Sequence, residues 1–256
     1  MVRLGSVNYE VRGSIAILTL DEPTKLNALT TGIRAGIVEG LRQADNDDQV
    51  RVSIITGAGD KAFCAGADIG NFDFDPEKAR AFFIDAMDVL TAPERARKPV
   101  VAAVNGIAYG GGFELAIACD FIFAADSARF ATPEIKLGLL PGFAIVRLND
   151  IVGRAKAKEM SMLGDPLSAG EACGLGIALR VVPDQDLLAE TLAFAERIAA
   201  QPRLAVQMAK SFYNRGLGGD EMRHAIDGFP FLLTHADARE GIGAFRDKRK
   251  PRFGQD

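Results

Sequence analysis

The chain has 256 residues, 48% hydrophobic and 25% charged, with a formal net charge of −4, the make-up of an ordinary soluble globular protein. Its 30 Lys+Arg against 34 Asp+Glu form no long basic block, which argues against nucleic acid as a partner, and no apolar run approaches the ~18 residues of a membrane span. The three cysteines, Cys64, Cys119 and Cys173, are odd in number and scattered, which suits a reducing cytoplasm rather than a disulfide framework, and nothing is spaced like a metal site.

The start, "MVRLGSVNYEVRG", has neither the apolar core of a signal peptide nor the look of a transit peptide. "VNYEV" (7–11) and "SIAILTL" (14–20) alternate around Arg12-Gly13 and predict a β-hairpin. "TTGIRAGIVEGLRQAD" (30–45) predicts a helix with a Thr N-cap, and "VRVSIIT" (50–56) a buried strand ending at Gly57. "DPEKARAFFIDAMDVLTAPERA" (75–96) opens on Asp-Pro, a favourable cap and first turn for a helix. Strands follow over "KPVVAAVNG" (98–106) and "DFIFAAD" (120–126), then helices over 142–153 and 154–163. Another is expected at 168–173, where Ser168 and Glu171 are spaced for a capping box. From Leu187 onward every strong signal is helical: 186–201, 202–216, 219–235 and 237–249. The pattern predicts an α/β core over 1–195 and a helical region over 196–256.

Function has to be sought in the loops. Gly57, Gly59 and Ala62 fit G-x-G-x-x-A after a strand, but no helix period opens at those glycines, so a dinucleotide site is rejected. Only two histidines occur, His224 and His235, too few and too close to the end for a His-dependent triad. What remains are two segments of the same grammar, "FCAGADI" (63–69) and "NGIAYGGGFEL" (105–115): each is a strand, an exposed glycine turn and a helix start. Glycine lets a backbone approach a ligand with its N–H groups outward, and a helix N-terminus adds partial positive charge. Two such N–H groups on one oxygen would make an oxyanion hole.

Three stretches, "VRVSIITGAGDKAFCAGADI", "AAVNGIAYGGGFELAIACDFIFAADSARFATPEIKLGLLPG" and "EGIGAFRDKRKPRF", together with "KLNAL" (25–29), resemble the enoyl-CoA hydratase/isomerase (crotonase) superfamily in order and separation. The resemblance implies a spiral of ββα units with a C-terminal helical region that mediates trimerisation, as a homotrimer or a dimer of trimers. It also implies an acyl-CoA thioester substrate, with coenzyme A entering as part of the substrate and no permanently bound cofactor or metal. Carried onto this chain, the oxyanion hole matches the backbone N–H groups of Ala67 and Gly111. The CoA contacts match Lys25, Leu26, Ala65, Asp68 and Ile69, and the basic end "RDKRKPRF" (246–253) gains a role near the CoA phosphates.

Members of the superfamily share the hole and differ in chemistry, so side chains decide the reaction. The two glutamates that face a water molecule in hydratases match Glu114 and Glu134, and Gly142 matches the amide that helps hold that water. Physically, a thioester carbonyl held by two N–H groups makes the β-carbon of a conjugated C=C bond electrophilic. Two carboxylates then manage the protons of water addition if their environments separate their pKa values. The resemblance makes Glu134 the principal acid/base and Glu114 its partner orienting the water. The alternatives are an isomerase, in which one glutamate shuttles a proton between α- and γ-carbons, or another CoA-ester lyase or hydrolase. After Gly142 the bulky "FAIVRL" departs from the small residues of straight-chain hydratases, making Phe143 and Ile145 candidates for the acyl-pocket wall.

Overall fold

Alternation at the amino terminus builds an antiparallel ribbon in which β1 (Val2–Leu4), β2 (Val7–Arg12) and β3 (Ile15–Leu20) pair in sequence order. The computed structural model describes residues 1–214, 230, 233–234 and 236–252. After β3 comes α1 (Thr31–Asn46), capped by the Thr30 hydroxyl accepting from the Ile33 N–H. Then β4 (Val52–Gly57), β6 (Val100–Val104), β8 (Phe121–Ala125) and β11 (Arg180–Val182) add in parallel, giving the order β1-β2-β3-β4-β6-β8-β11. The central parallel strands are covered on both faces, so they read as near-continuous Val, Ile and Ala rather than alternating.

A second sheet, which the ββα units of the resemblance imply but the local sequence pattern does not reveal, lies beside the first. Its strands β5 (Ala62–Cys64), β7 (Ile107–Tyr109), β9 (Arg129–Ala131) and β10 (Leu167–Ser168) lie in the order β10-β9-β7-β5. Each of β4, β6 and β8 is therefore followed by a short strand of the smaller sheet and then by a helix. These helices are α2 (Pro76–Arg95), α3 (Gly111–Ala118) and α4 (Ala144–Val152). The spiral of ββα units is the observed architecture. Next come α5 (Arg154–Leu163) and α6 (Ala169–Gly174), the latter with both hydrogen bonds of the Ser168–Glu171 capping box.

Two apolar layers sandwich the larger sheet. One side carries the main core, including Ile33, Ile37, Phe83, Leu115 and Phe143. On the other, α7 (Leu187–Ala199) buries Leu187 and Ala195 against Ile15, Val52, Val101 and Phe123, so position 195 falls inside a helix seated on the sheet. Two further helices are α8 (Arg203–Tyr213) and α9 (Ala236–Arg246). His224, His235 and most of the helix expected over 219–235 lie outside the described residues. Among the described residues no helix is long and apolar enough to cross a membrane.

Candidate active site

Pairing of β5 with β7 in the smaller sheet brings the residues after them, Ala65–Asp68 and Gly110–Gly112, together. A Cβ placed on Gly111 would lie 3.6 Å from the Ala67 nitrogen. The direction of both amides is set through the carbonyl of the same peptide unit. Gly66 O accepts from the Leu29 N–H (2.8 Å) and Gly110 O from the Glu114 N–H (2.9 Å). In a trans peptide C=O and N–H oppose each other, so the Ala67 and Gly111 N–H groups are turned away from those anchors. Among the described residues neither donates to another backbone group. Gly111 also opens α3, whose amino end carries partial positive charge.

Close packing explains the glycine run. At Gly110 the backbone is left-handed (φ 52°), and a Cβ would lie 2.9 Å from Glu134 Oε1. At Gly112 a Cβ would collide with the Cys64 carbonyl oxygen. The turn is consequently less exposed than the sequence suggested: Gly66, Gly110 and Gly112 are buried and Gly111 is partly open.

Glu114, in the first turn of α3, is buried, and its Oε1 accepts from the N–H groups of Phe143 (2.7 Å) and Ala144 (2.9 Å). Burial raises its pKa, while the Ala144, Phe143 and Gly142 amides hold it down. Glu134 sits in a 3₁₀ turn, Pro133–Leu137, with its carboxylate against Gly110. Its Oε2 is buried with no hydrogen-bond partner among the described residues. Burial pushes its pKa well above the ordinary carboxylate range, and the nearby Glu114 charge pushes the same way. Burial raises both acids, and they differ in degree: amides clasp Glu114 and offset part of its burial, whereas Glu134 keeps a bare oxygen and is pushed further towards its protonated form. Thiol chemistry is disfavoured beside them, because burial pushes Cys64 up to about 12.

The segments expected to hold CoA line up alongside. Ala65 N–H donates to Leu26 O (3.0 Å), and Lys25 pairs with Asp68 at 3.6 Å. Ile69 begins a 3₁₀ turn whose first carbonyl accepts from Arg246 (3.0 Å). An open groove of about 300 Å³ adjoins Leu26, lined also by Pro23, Thr24, Gly59, Asp60 and Lys61. In the basic tail, Arg249 binds both carboxylate oxygens of Glu240 at 2.6 and 2.8 Å.

A family model described as enoyl-CoA hydratase/isomerase matches residues 10–256. The chain belongs to the enoyl-CoA hydratase/isomerase family. It is 38% identical over 253 residues to a crotonyl-CoA hydratase of Syntrophomonas wolfei, covering 97% of each chain. It is 34% identical over 254 residues to a short-chain-enoyl-CoA hydratase of Clostridium acetobutylicum, again covering 97% of each. Among solved structures, a carnitinyl-CoA hydratase from Mycobacterium avium is similar with a TM-score of 0.86 at 35% identity, covering 98% of this chain and 99% of that one.

Against that family background, the structure brings Ala67, Gly111, Glu114, Glu134 and Gly142 into one region. It also adds residues that the sequence reading missed. The Phe143 and Ala144 amides bind Glu114, a contact signalled only by α4 beginning just after Gly142. Phe143 itself is a core side chain and Ile145 is exposed. A Cβ on Gly142 would overlap the Phe83 ring and come 3.2 Å from Met87 Cε, so α2 supports the Glu114-binding turn.

Proposed function

We propose that this protein is an enoyl-CoA hydratase-type lyase, adding water reversibly across the 2,3 double bond of an enoyl-CoA thioester. The observation that carries the reading is the unequal pair of buried carboxylates beside two adjacent, unspent backbone amides. In the proposed mechanism, Ala67 and Gly111 donate to the thioester oxygen and stabilise the enolate as it forms. Water, oriented with help from Gly142, adds to the β-carbon as Glu114 removes its proton. Glu134 delivers its proton to the α-carbon, and the pair resets by passing one proton between them. Amides that offset burial at Glu114, against burial that keeps Glu134 protonated, support this division, which differs from the expectation above by moving removal of the water proton from Glu134 to Glu114. Lys25, Leu26, Ala65, Asp68 and Ile69 bind the CoA moiety.

Relatives named for crotonyl-CoA and short-chain enoyl-CoA favour a short acyl group. The two buried free cysteines suit a cytoplasmic setting. A panel of 2-enoyl-CoA esters, followed by absorbance of the conjugated thioester and product mass, tests the reading. Expected is loss of absorbance with a product one water heavier. No loss with any ester, together with conjugation appearing from a 3-enoyl-CoA, would instead establish an isomerase.

A further inference from the structure

We infer that Asn27 is a positioning residue for the oxyanion pair, acting through residues 26–29 as a template for both amides, an inference that rests on the proposed role of Ala67 and Gly111. Asn27 is wholly buried, and its side-chain amide is engaged at both ends. Nδ2 donates to the carbonyls of Ala58 (3.0 Å) and Ala62 (2.9 Å), and Oδ1 accepts from the Glu22 N–H (3.0 Å). The Asn27 N–H donates back to Glu22 O (3.0 Å), and the Thr30 hydroxyl donates to Glu22 Oε1 (2.8 Å). Leu26 and Asn27 are consecutive left-handed residues, φ 52° and 53°, and neither is glycine. Such a pair persists only where its surroundings over-determine it, and the Asn27 clasp supplies that constraint.

The left-handed pair carries the chain past the first oxyanion turn. Ala65 N–H donates to Leu26 O (3.0 Å) and Leu29 N–H to Gly66 O (2.8 Å). The second bond fixes the plane of the Gly66–Ala67 peptide and thereby the direction of the Ala67 N–H. Leu29 reaches the other donor with its side chain: a Cβ on Gly111 would lie 2.9 Å from Leu29 Cδ1. One four-residue segment therefore meets both donors, through its main chain at Ala67 and through a side chain at Gly111. Asn27 itself touches neither.

Two variants and an optical probe test this. Asn27→Asp keeps the shape but, ionised, cannot donate to the Ala58 and Ala62 carbonyls. Asn27→Gly keeps the left-handed backbone and removes the clasp. The probe is a 2-enoyl-CoA extended by an electron-donating aryl ring, whose absorption moves to longer wavelength as its carbonyl is polarised. In a folded variant, kcat for crotonyl-CoA is expected to fall by about tenfold or more with KM within about threefold, and the band shift of the bound probe to shrink. A folded variant with the full band shift and wild-type kcat would overturn the inference. So would failure of both variants to fold, which would make Asn27 a determinant of folding alone. If wild-type protein binds the probe with no band shift, the oxyanion reading itself fails.

Discussion

Glu114 and Glu134 are both buried carboxyls, one clasped by amides and one with an unpartnered oxygen, and that difference sets their expected behaviour. Glu114→Gln and Glu134→Gln should each lower kcat by at least ~10²-fold, the usual scale of general acid–base contributions, in steady-state assays on crotonyl-CoA. The stability effect of Glu134→Gln should run the other way. Burial raises the folded-state pKa of Glu134, so folding takes up a proton between the ordinary carboxylate value and the raised one. Its stabilising contribution is complete at acid pH and is lost as pH climbs through that window. Glu134→Gln should therefore raise Tm at neutral pH, with the gain shrinking towards pH 4. A variant that loses stability at neutral pH would contradict the burial account. At this scale the sequence was partly legible. Both acids stand in recognisable motifs, but the amides that hold Glu114 lie 29 and 30 residues further along and meet it only through the fold.

Among the elements, the regular helices and long strands were readable because periodicity and caps act locally: Thr30, Asp75 and Ser168 all cap the helices expected of them. The smaller sheet was not readable. Three of its strands have three residues and one has two, too short for an alternation to register, and β5 and β7 are embedded in the glycine segments. Nor does the pattern disclose how α8 is fastened. Its Lys210 is buried, and Nζ donates to Pro93 O (2.7 Å), Lys98 O (3.0 Å) and Asp120 Oδ2 (2.7 Å). Asp120 in turn accepts from the Val100 N–H (2.7 Å), tying the helix to the start of β6. Lys210→Met should cost about 3–5 kcal/mol in denaturant unfolding, because it strands a buried carboxylate. Adding Asp120→Asn should restore part of that loss; a double variant whose loss equals or exceeds the sum of the two single losses would refute the coupling.

For the whole molecule, the ββα spiral explains why segments some forty residues apart in sequence converge: successive turns place β5 beside β7, and the loops after them share one region. Outside that region, α8 exposes Leu204, Met208 and Phe212, spaced four apart along one helix face. We propose that the C-terminal helical region associates copies of the chain. Light scattering coupled to size exclusion should give three or six chain masses, and a monomer at micromolar concentration would contradict this. The proposed chemistry is tested most directly by converting crotonyl-CoA in D₂O and analysing the product by mass and NMR. Hydration through the two glutamates should leave a hydroxyl on C3 and one deuterium on C2. Deuterium on C4 with a migrated double bond and no added oxygen, or an unchanged substrate, would contradict it.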